Sequence, residues 1–121
     1  MPLILIIEDE PGIQELLVEL VGALGYRTSV VGTVADAMTL VQIDRPDAIL
    51  LDMMLPDARG TVALETLRAV RPNVPIIMLT GNTDEAIARD TLKRGAFDYI
   101  SKPFDRDLLA SVLQAALDAR L

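Results

Sequence analysis

Four acidic residues of this chain have the positions expected of ligands for a divalent cation. Glu8, Asp9 and Glu10 directly follow the apolar run 3–7, and Asp52 directly follows a second apolar run, 48–51. Carboxylates that are gathered in one place repel one another, so such a cluster persists where a cation or a function compensates. The chain has no His and no Cys, and a set of oxygen ligands alone favours Mg²⁺. The acidic residues therefore indicate magnesium chemistry.

A hydroxyl and an ammonium group follow two further apolar runs. Thr80 follows the run 76–79, and Lys102, one of two lysines in the chain, follows the run 96–100 after a single serine. Magnesium opposite a lysine creates a site suited to a phosphoryl group, because cations offset the charge that develops on its oxygens.

Five apolar runs predict the strands that must position these groups. They cover residues 3–7, 27–31, 48–51, 76–79 and 96–100. Between them apolar residues recur with helical spacing, most clearly from Ile13 to Leu24. Continuous apolar strands that alternate with helices are typical of a parallel sheet with helices on both faces. The sequence therefore predicts an α/β fold, a doubly wound, flavodoxin-like (βα)5 three-layer sandwich with strand order 2-1-3-4-5.

This fold brings the candidate residues together. In open α/β sheets, ligands bind at the carboxyl ends of the strands, near the point where the strand order reverses. The residues that follow strands 1, 3, 4 and 5 meet at that edge. The helix expected over residues 83–94 offers Ile87, Leu92 and a few alanines as apolar contacts. We expect it to be the element that moves.

Residues at the ends of the predicted helices support this division of the chain. Pro11 suits a first helical turn, and Thr33 can cap the second helix. Gly25 and Gly95 suit left-handed positions just past helix ends.

Length and composition limit the possible functions. The 121 residues, of which 51% are hydrophobic, correspond to one domain, 1–121. Without His or Cys, the known classes of zinc site, thiol nucleophile and Ser-His-Asp triad are excluded. The net charge of -7 disfavours nucleic acid as a partner. No apolar run approaches the roughly 18 residues of a membrane-spanning helix. We expect a cytoplasmic domain that binds neither nucleic acid nor membrane.

Five motifs of the chain resemble those of the receiver domain of two-component response regulators. Each lies at the end of a predicted strand, and the resemblance covers residues 2–121. The motifs are Ile7-Glu8-Asp9-Glu10, Leu51-Asp52-Met53-Met54-Leu55-Pro56-Asp57, Leu79-Thr80-Gly81, Gly95-Ala96-Phe97-Asp98-Tyr99 and Ser101-Lys102-Pro103-Phe104.

The resemblance implies a phosphoacceptor and a metal site. Asp52 would take a phosphoryl group from a sensor histidine kinase, a phosphotransfer protein or a small phosphodonor. Asp9, Asp52 and the backbone carbonyl of Met54 would hold Mg²⁺, and Glu8 would help through a water molecule. The chemistry would be limited to self-catalysed phosphorylation and dephosphorylation of Asp52, so the domain would not be a conventional enzyme.

The resemblance also implies a switch. Thr80 and Lys102 would bind phosphoryl oxygens, and the Lys102–Pro103 peptide would be cis. Tyr99 would turn inward as Thr80 moves. The fourth helix, fifth strand and fifth helix would then present a changed face to a C-terminal output domain, a downstream target or a second copy in a homodimer.

Other functions stay open at this point. A phosphatase or phosphotransferase with an aspartyl-phosphate intermediate would need a second acid two residues past Asp52, where this chain has Met54. A flavodoxin-like cofactor protein would need aromatic loops, and the chain has two Phe and two Tyr. A pseudo-receiver that serves only as a docking module would not need the polar residues that this chain retains, which are Glu8, Asp9, Asp52, Thr80 and Lys102. Asp52 taken alone could also be an Asx-turn residue after a strand.

The loops after the third and fourth predicted strands depart from the usual family pattern. Ala58 and Arg59 precede Gly60 where a Met-Asp or Leu-Asp pair is usual, and Gly81 stands where Ala is frequent. We therefore expect the loop over the site to make different contacts.

Overall fold

The computed structural model of the chain describes residues 1–81 and 85–119. Within these ranges, strands and helices alternate. The strands are β1 (Leu3–Ile7), β2 (Arg27–Val31), β3 (Ala48–Asp52), β4 (Ile76–Thr80) and β5 (Asp98–Ser101). The helices are α1 (Pro11–Ala23), α2 (Val34–Ile43), α3 (Gly60–Val70), α4 (Glu85–Lys93) and α5 (Arg106–Ala119).

The strands form one parallel sheet of order β2-β1-β3-β4-β5. This confirms the predicted α/β class and strand order. In the register, Ile7 of β1 lies opposite Leu51 of β3. The next residues, Glu8 after β1 and Asp52 at the end of β3, therefore lie at the same level of the sheet edge. No helix in the described ranges is long and apolar enough to cross a membrane.

The apolar strands separate two hydrophobic cores. Every residue of β1 and β3 is buried, and side chains that are adjacent along a strand point to opposite faces. One core packs the sheet against α1 and α5 and includes Ile6, Leu50 and Leu113. The other packs the sheet against α2 and α3 and includes Leu51 and Leu67. The predicted three-layer sandwich is therefore confirmed.

The predicted helix ends also agree with the structure. Pro11 is the first residue of α1, and the hydroxyl of Thr33 accepts a hydrogen bond from the amide of Asp36 at 3.1 Å. Gly25 and Gly95 have φ angles of 94° and 106°, a region that favours glycine because other residues carry a Cβ atom.

Two predictions are wrong in detail near α4. The strand predicted over 96–100 begins at Asp98, because the amide of Ala96 donates to the carbonyl of Thr91 and closes the end of α4 at 2.9 Å. Helix α4 buries Ala88 and Thr91, whereas the expected contact residues Ile87 and Leu92 are 46% and 37% exposed. The first two residues of the predicted helix, 83 and 84, lie outside the described residues.

Candidate metal and phosphoryl site

Three carboxylates meet at the carboxyl edge of the sheet. One side-chain oxygen from each of Glu8, Asp9 and Asp52 lies within 4.8 Å of the others. Glu8 and Asp52 are only 1% and 5% exposed, while Asp9 is exposed. The strands position them, because Glu8 and Asp9 directly follow β1 and Asp52 ends the adjacent β3. The structure thus brings together acidic residues that are 43 or 44 positions apart in sequence.

Glu8 is the most perturbed acid of this cluster. The pKa of the Glu8 carboxyl is raised from 4.5 to about 7, mainly by burial and in addition by the adjacent Asp52. A hydrogen bond from the amide of Glu10, 3.1 Å long, and the positive charge of Lys102 act in the opposite direction on this pKa. Glu8 is therefore poised between its charged and neutral forms near neutral pH.

The cluster fits a hard divalent cation. Oε2 of Glu8 is buried and has no hydrogen-bond partner among the described residues, and a buried acceptor without a partner is costly. The donors are all oxygens, as Mg²⁺ prefers. A cation or a cation-bound water beside Oε2 would satisfy this atom. The residues present therefore suit Mg²⁺.

The Asx-turn interpretation explains little of the environment of Asp52. The amide of Met54 donates to Oδ1 of Asp52 at 3.4 Å, which is long for an N–H···O bond. That contact does not account for a carboxylate that is 5% exposed and lies beside two other acids.

Strands β4 and β5 place a hydroxyl and an ammonium group at the same edge. Thr80 ends β4 opposite Ser101 in β5, and its hydroxyl donates to Oγ of Ser101 at 3.2 Å. The amide of Lys102 donates to the carbonyl of Thr80 at 2.9 Å, and the Lys102–Pro103 peptide is cis.

Lys102 is half-buried and carries a charge that reaches the acidic cluster. Its positive charge lowers the pKa of the Glu8 carboxyl, against the larger effect of burial. Ion pairs within the described residues involve Arg89 and Arg94 and not Lys102. The ammonium group therefore acts on the cluster without being bound to a carboxylate.

Tyr99 lies in β5, where it is half-buried against the core formed with α2 and α3. In the sheet it is the neighbour of Met78, two positions before Thr80. Tyr99 therefore lies two residues along the sheet from Thr80, the residue with which it is predicted to move.

The loop 53–59 between β3 and α3 carries Met54. The Met54 side chain is 74% exposed. The carbonyl of Met53 accepts a hydrogen bond from the amide of Gly60 at 2.7 Å, and Met54 and Arg59 form an antiparallel bridge.

Sequence reasoning missed two side chains that support the edge. The amide group of Gln14 donates to the carbonyl of Glu8 at 2.5 Å. The carboxylate of Asp57 accepts hydrogen bonds from the amides of Val34 and Ala35 at 3.0 and 3.1 Å. In the sequence, Asp57 is only an acidic residue in the loop after β3, and Gln14 is only a polar residue in the first turns of α1. Neither position indicates which backbone group the side chain binds.

Comparison with known proteins places this arrangement in a family. The family model described as "Response regulator receiver domain" matches residues 4–114. The DNA-binding response regulator MtrA of Mycolicibacterium smegmatis is 40% identical over 114 residues, which are 94% of this chain and 50% of MtrA. The regulatory protein AtoC of Escherichia coli is 33% identical over 94% of this chain and 25% of AtoC. The chain thus spans half of MtrA and a quarter of AtoC.

Solved structures agree with the sequence comparisons. The receiver domain of the sensor histidine kinase PA1611 from Pseudomonas aeruginosa, with a magnesium ion coordinated in its active site cleft, has a TM-score of 0.88 and 35% identity over 98% of each chain. A response regulator structure from Chloroflexus aurantiacus has a TM-score of 0.92 and 26% identity over 97% of this chain and 98% of that one.

The relatives do not support one expectation. MtrA is a DNA-binding response regulator, so the comparisons give no ground for excluding nucleic acid as a partner. The fold, the carboxylate edge and the match over residues 4–114 lead to a single assignment: the chain belongs to the response regulator receiver domain family.

Proposed function

We propose that this chain, as one receiver domain over residues 1–121, accepts a phosphoryl group on Asp52 in a Mg²⁺-dependent reaction. The observation that carries the proposal is the cluster of Glu8, Asp9 and Asp52, whose oxygens lie within 4.8 Å of one another at the carboxyl edge of the sheet. The electrostatic effect of Lys102 on the same cluster supports it.

The acidic residues would hold the metal. Asp9, Asp52 and the backbone carbonyl of Met54 would be ligands, and Glu8 would contribute through a water molecule. When bound, Mg²⁺ supplies positive charge that offsets the charge on the transferred phosphoryl oxygens. The unpartnered Oε2 of Glu8 favours this assignment.

The other residues would position and stabilise the phosphoryl group. An oxygen of Asp52 attacks phosphorus, a new O–P bond forms, and the bond from phosphorus to the donor's nitrogen or oxygen breaks. The Thr80 hydroxyl would donate to one phosphoryl oxygen and the Lys102 ammonium to another. Charge-assisted hydrogen bonds of this kind are stronger than neutral ones. Hydrolysis, in which water attacks phosphorus and the Asp52 O–P bond breaks, would release inorganic phosphate and restore the free carboxylate, which completes a self-catalysed cycle.

The switch would begin at Thr80. Its hydroxyl now donates to Ser101 at 3.2 Å, and a phosphoryl oxygen would compete for that donor. Movement of Thr80 would free space for Tyr99, which is half-buried two positions along the sheet. The changed face of α4, β5 and α5 would then bind an output domain, a downstream target or a second copy.

The phosphodonor would be a protein phosphohistidine, on a sensor histidine kinase or a phosphotransfer protein. The relatives are regulators of which this chain covers half or less, so we propose an output domain as the recipient of the signal. An aspartyl-phosphate phosphatase is the weaker candidate, because Met54 offers no acid two residues after Asp52.

Intact-mass spectrometry of the protein with acetyl phosphate tests the proposal. The wild-type chain should gain one phosphoryl group with Mg²⁺ and none with EDTA, and Asp52→Asn should gain none. Asp44→Asn, a change of the same kind at an exposed residue of α2's end, should behave as wild type. An unchanged adduct on Asp52→Asn would refute the site, and a wild type that never reacts would favour the docking-module alternative.

A further inference from the structure

The loop 53–59 is fixed at its base by a close approach of two backbones. The amide of Gly60 donates to the carbonyl of Met53 at 2.7 Å. A Cβ atom at position 60 would lie 2.7 Å from the Met53 Cα and 2.9 Å from its Sδ, so only glycine fits there without a shift. The bridge between Met54 and Arg59 continues this closure by one residue pair.

The tip of the same loop is fixed by Asp57 to a different element. Oδ1 of Asp57 accepts from the amide of Val34 at 3.0 Å, and Oδ2 accepts from the amide of Ala35 at 3.1 Å. These are the first two residues of α2, whose amides have no partner inside the helix. Both carboxylate oxygens of Asp57 are therefore used to join the loop to α2.

The chemistry of this contact favours a charged Asp57. The two backbone N–H donors lower the pKa of the Asp57 carboxyl, and a helix N-terminus attracts negative charge. The next free amide at this helix end, that of Asp36, donates to the hydroxyl of Thr33. The N-terminus of α2 thus has one cap from its own sequence and one from the loop that follows the phosphoacceptor.

We propose that Asp57 is a positioning residue for the phosphoacceptor site, acting through the backbone of Met54. The inference rests on the proposed function, in which the Met54 carbonyl is a ligand of Mg²⁺. Met54 belongs to the last residue pair of the closed base, directly before the tip that Asp57 holds. Without the tip contact, residues 54–58 are held by the closed base and by the packing of Leu55 and Ala58 against the core formed with α2 and α3. The Met54 carbonyl would then sample more orientations.

The matched control is Thr33→Ala, which removes the other cap of α2 and leaves the loop 53–59 untouched. We expect Asp57→Ala and Thr33→Ala both to lower the melting temperature by several degrees. Only Asp57→Ala should weaken Mg²⁺ binding, by about tenfold, as changes just outside the ligand shell typically do. Asp57→Asn, which keeps one acceptor oxygen, should lie between Asp57→Ala and wild type.

Two measurements on the unphosphorylated chain decide the matter. Isothermal titration calorimetry with MgCl₂ gives the affinity, and ¹H–¹⁵N spectra without Mg²⁺ give the amide shifts of Met53 and Met54. Positioning by Asp57 predicts that these shifts change in Asp57→Ala and stay unchanged in Thr33→Ala. The Asn variant keeps the test available if the Ala variant fails to fold.

The outcomes separate this inference from the proposed function. If Thr33→Ala weakens Mg²⁺ binding as much as Asp57→Ala, Asp57 acts only as a helix cap and the inference is wrong. It is equally wrong if Asp57→Ala binds Mg²⁺ as wild type does. If the wild-type chain itself does not bind Mg²⁺, the proposed metal site is wrong, and the role of Asp57 that depends on it is wrong as well.

Discussion

Glu8 shows how the end of a buried strand changes the chemistry of one side chain. It directly follows β1, whose residues are all buried, and it is itself 1% exposed. Removal from water, as the larger cause, and the nearby Asp52 together raise the pKa of its carboxyl to about 7. Without a cation, Glu8 therefore holds a proton over part of the neutral pH range. A cation would favour the ionised form and displace that proton.

Proton release should accompany Mg²⁺ binding. We expect the affinity for Mg²⁺ to weaken as the pH falls from about 8 to 6, because the metal must then compete with the Glu8 proton. Calorimetric titrations in buffers of different ionisation enthalpy measure both the affinity and the protons released. Glu8→Gln should bind more weakly at high pH and lose this pH dependence. An affinity of the wild type that is constant over this range would contradict the prediction.

The same pKa predicts a pH-dependent stability in the absence of metal. The folded-state pKa of Glu8, about 7, lies above the unfolded value of 4.5, so the folded chain binds this proton more tightly. The resulting stability is present in full below pH 4.5 and is lost as the pH rises through 7. In EDTA, Glu8→Gln should therefore raise the melting temperature relative to wild type more at pH 8 than at pH 5. Equal differences at both values would show that the carboxyl is not perturbed.

Helix α4 differs from the other helices in how it is held. It buries Ala88 and Thr91, which offer little apolar surface, and burial of apolar area is the main source of packing energy. At its C-terminal end, Arg94 pairs with Asp90 at 2.7 Å and with Glu65 of α3. Arg68 of α3 also donates to the carbonyl of Gly95 at 2.9 Å. Polar contacts with α3 thus supplement the small apolar area that α4 buries against the rest of the domain.

Loss of Arg94 should loosen α4 more than it destabilises the protein. The ion pairs are exposed, and such pairs add little to global stability. We expect Arg94→Ala to speed amide hydrogen exchange severalfold in α4 while the denaturation midpoint hardly changes. Arg89→Ala is the matched control, since Arg89 pairs with Glu85 within α4 itself. If both variants exchange alike, the contact with α3 does not restrain the helix.

At the scale of the whole molecule, the sheet divides the interior into two cores, and no side chain of residues 1–81 and 85–119 belongs to both. Leu113 of α5 belongs to one core and Leu67 of α3 to the other, and both are 0% exposed. The two cores are joined through the backbone hydrogen bonds of the strands. We therefore expect the domain to unfold as one unit even though its apolar contacts form two groups.

Truncation of one leucine in each core tests this description. Leu113→Ala and Leu67→Ala should each lower the free energy of unfolding by about 2–5 kcal/mol, from lost burial and the cavity that remains. The double variant should show the sum within about 0.5 kcal/mol, because distant sites act independently. Urea denaturation followed by circular dichroism gives these values. A larger coupling energy would mean that the sheet transmits strain between the cores.

Much of the fold could be predicted because the signals are local. The bounds of β1 and β2 agree with the apolar runs 3–7 and 27–31. The strand order is the common one for a doubly wound sheet with right-handed crossovers. The start of β5 could not be predicted, because it depends on the bond from Ala96 to Thr91 at the end of α4. The exposure of Ile87 was missed for a related reason, since helical spacing alone does not show which face of α4 is covered.

The site was predictable where it depends on topology and not where it depends on the path of a loop. The meeting of Glu8, Asp9 and Asp52 follows from the adjacency of strands β1 and β3. The contact of Asp57 with α2 joins residues 22 and 23 positions apart through a loop of irregular backbone. The roles of Thr80, Lys102 and Tyr99 stay predictions until the reaction is measured.

The two lysines of the chain lie in contrasting places, and this offers a way to follow the signal by chemical footprinting. Lys93 is exposed in the last turn of α4, while Lys102 is half-buried after β5, where its charge acts on Glu8. An amine-reactive reagent should acylate Lys93 readily and Lys102 slowly, and a phosphoryl group bound by Lys102 should slow it further. A single digest would then report occupancy of the site at one residue and the state of α4 at the other, in a protein with no tryptophan to serve as a fluorescent probe.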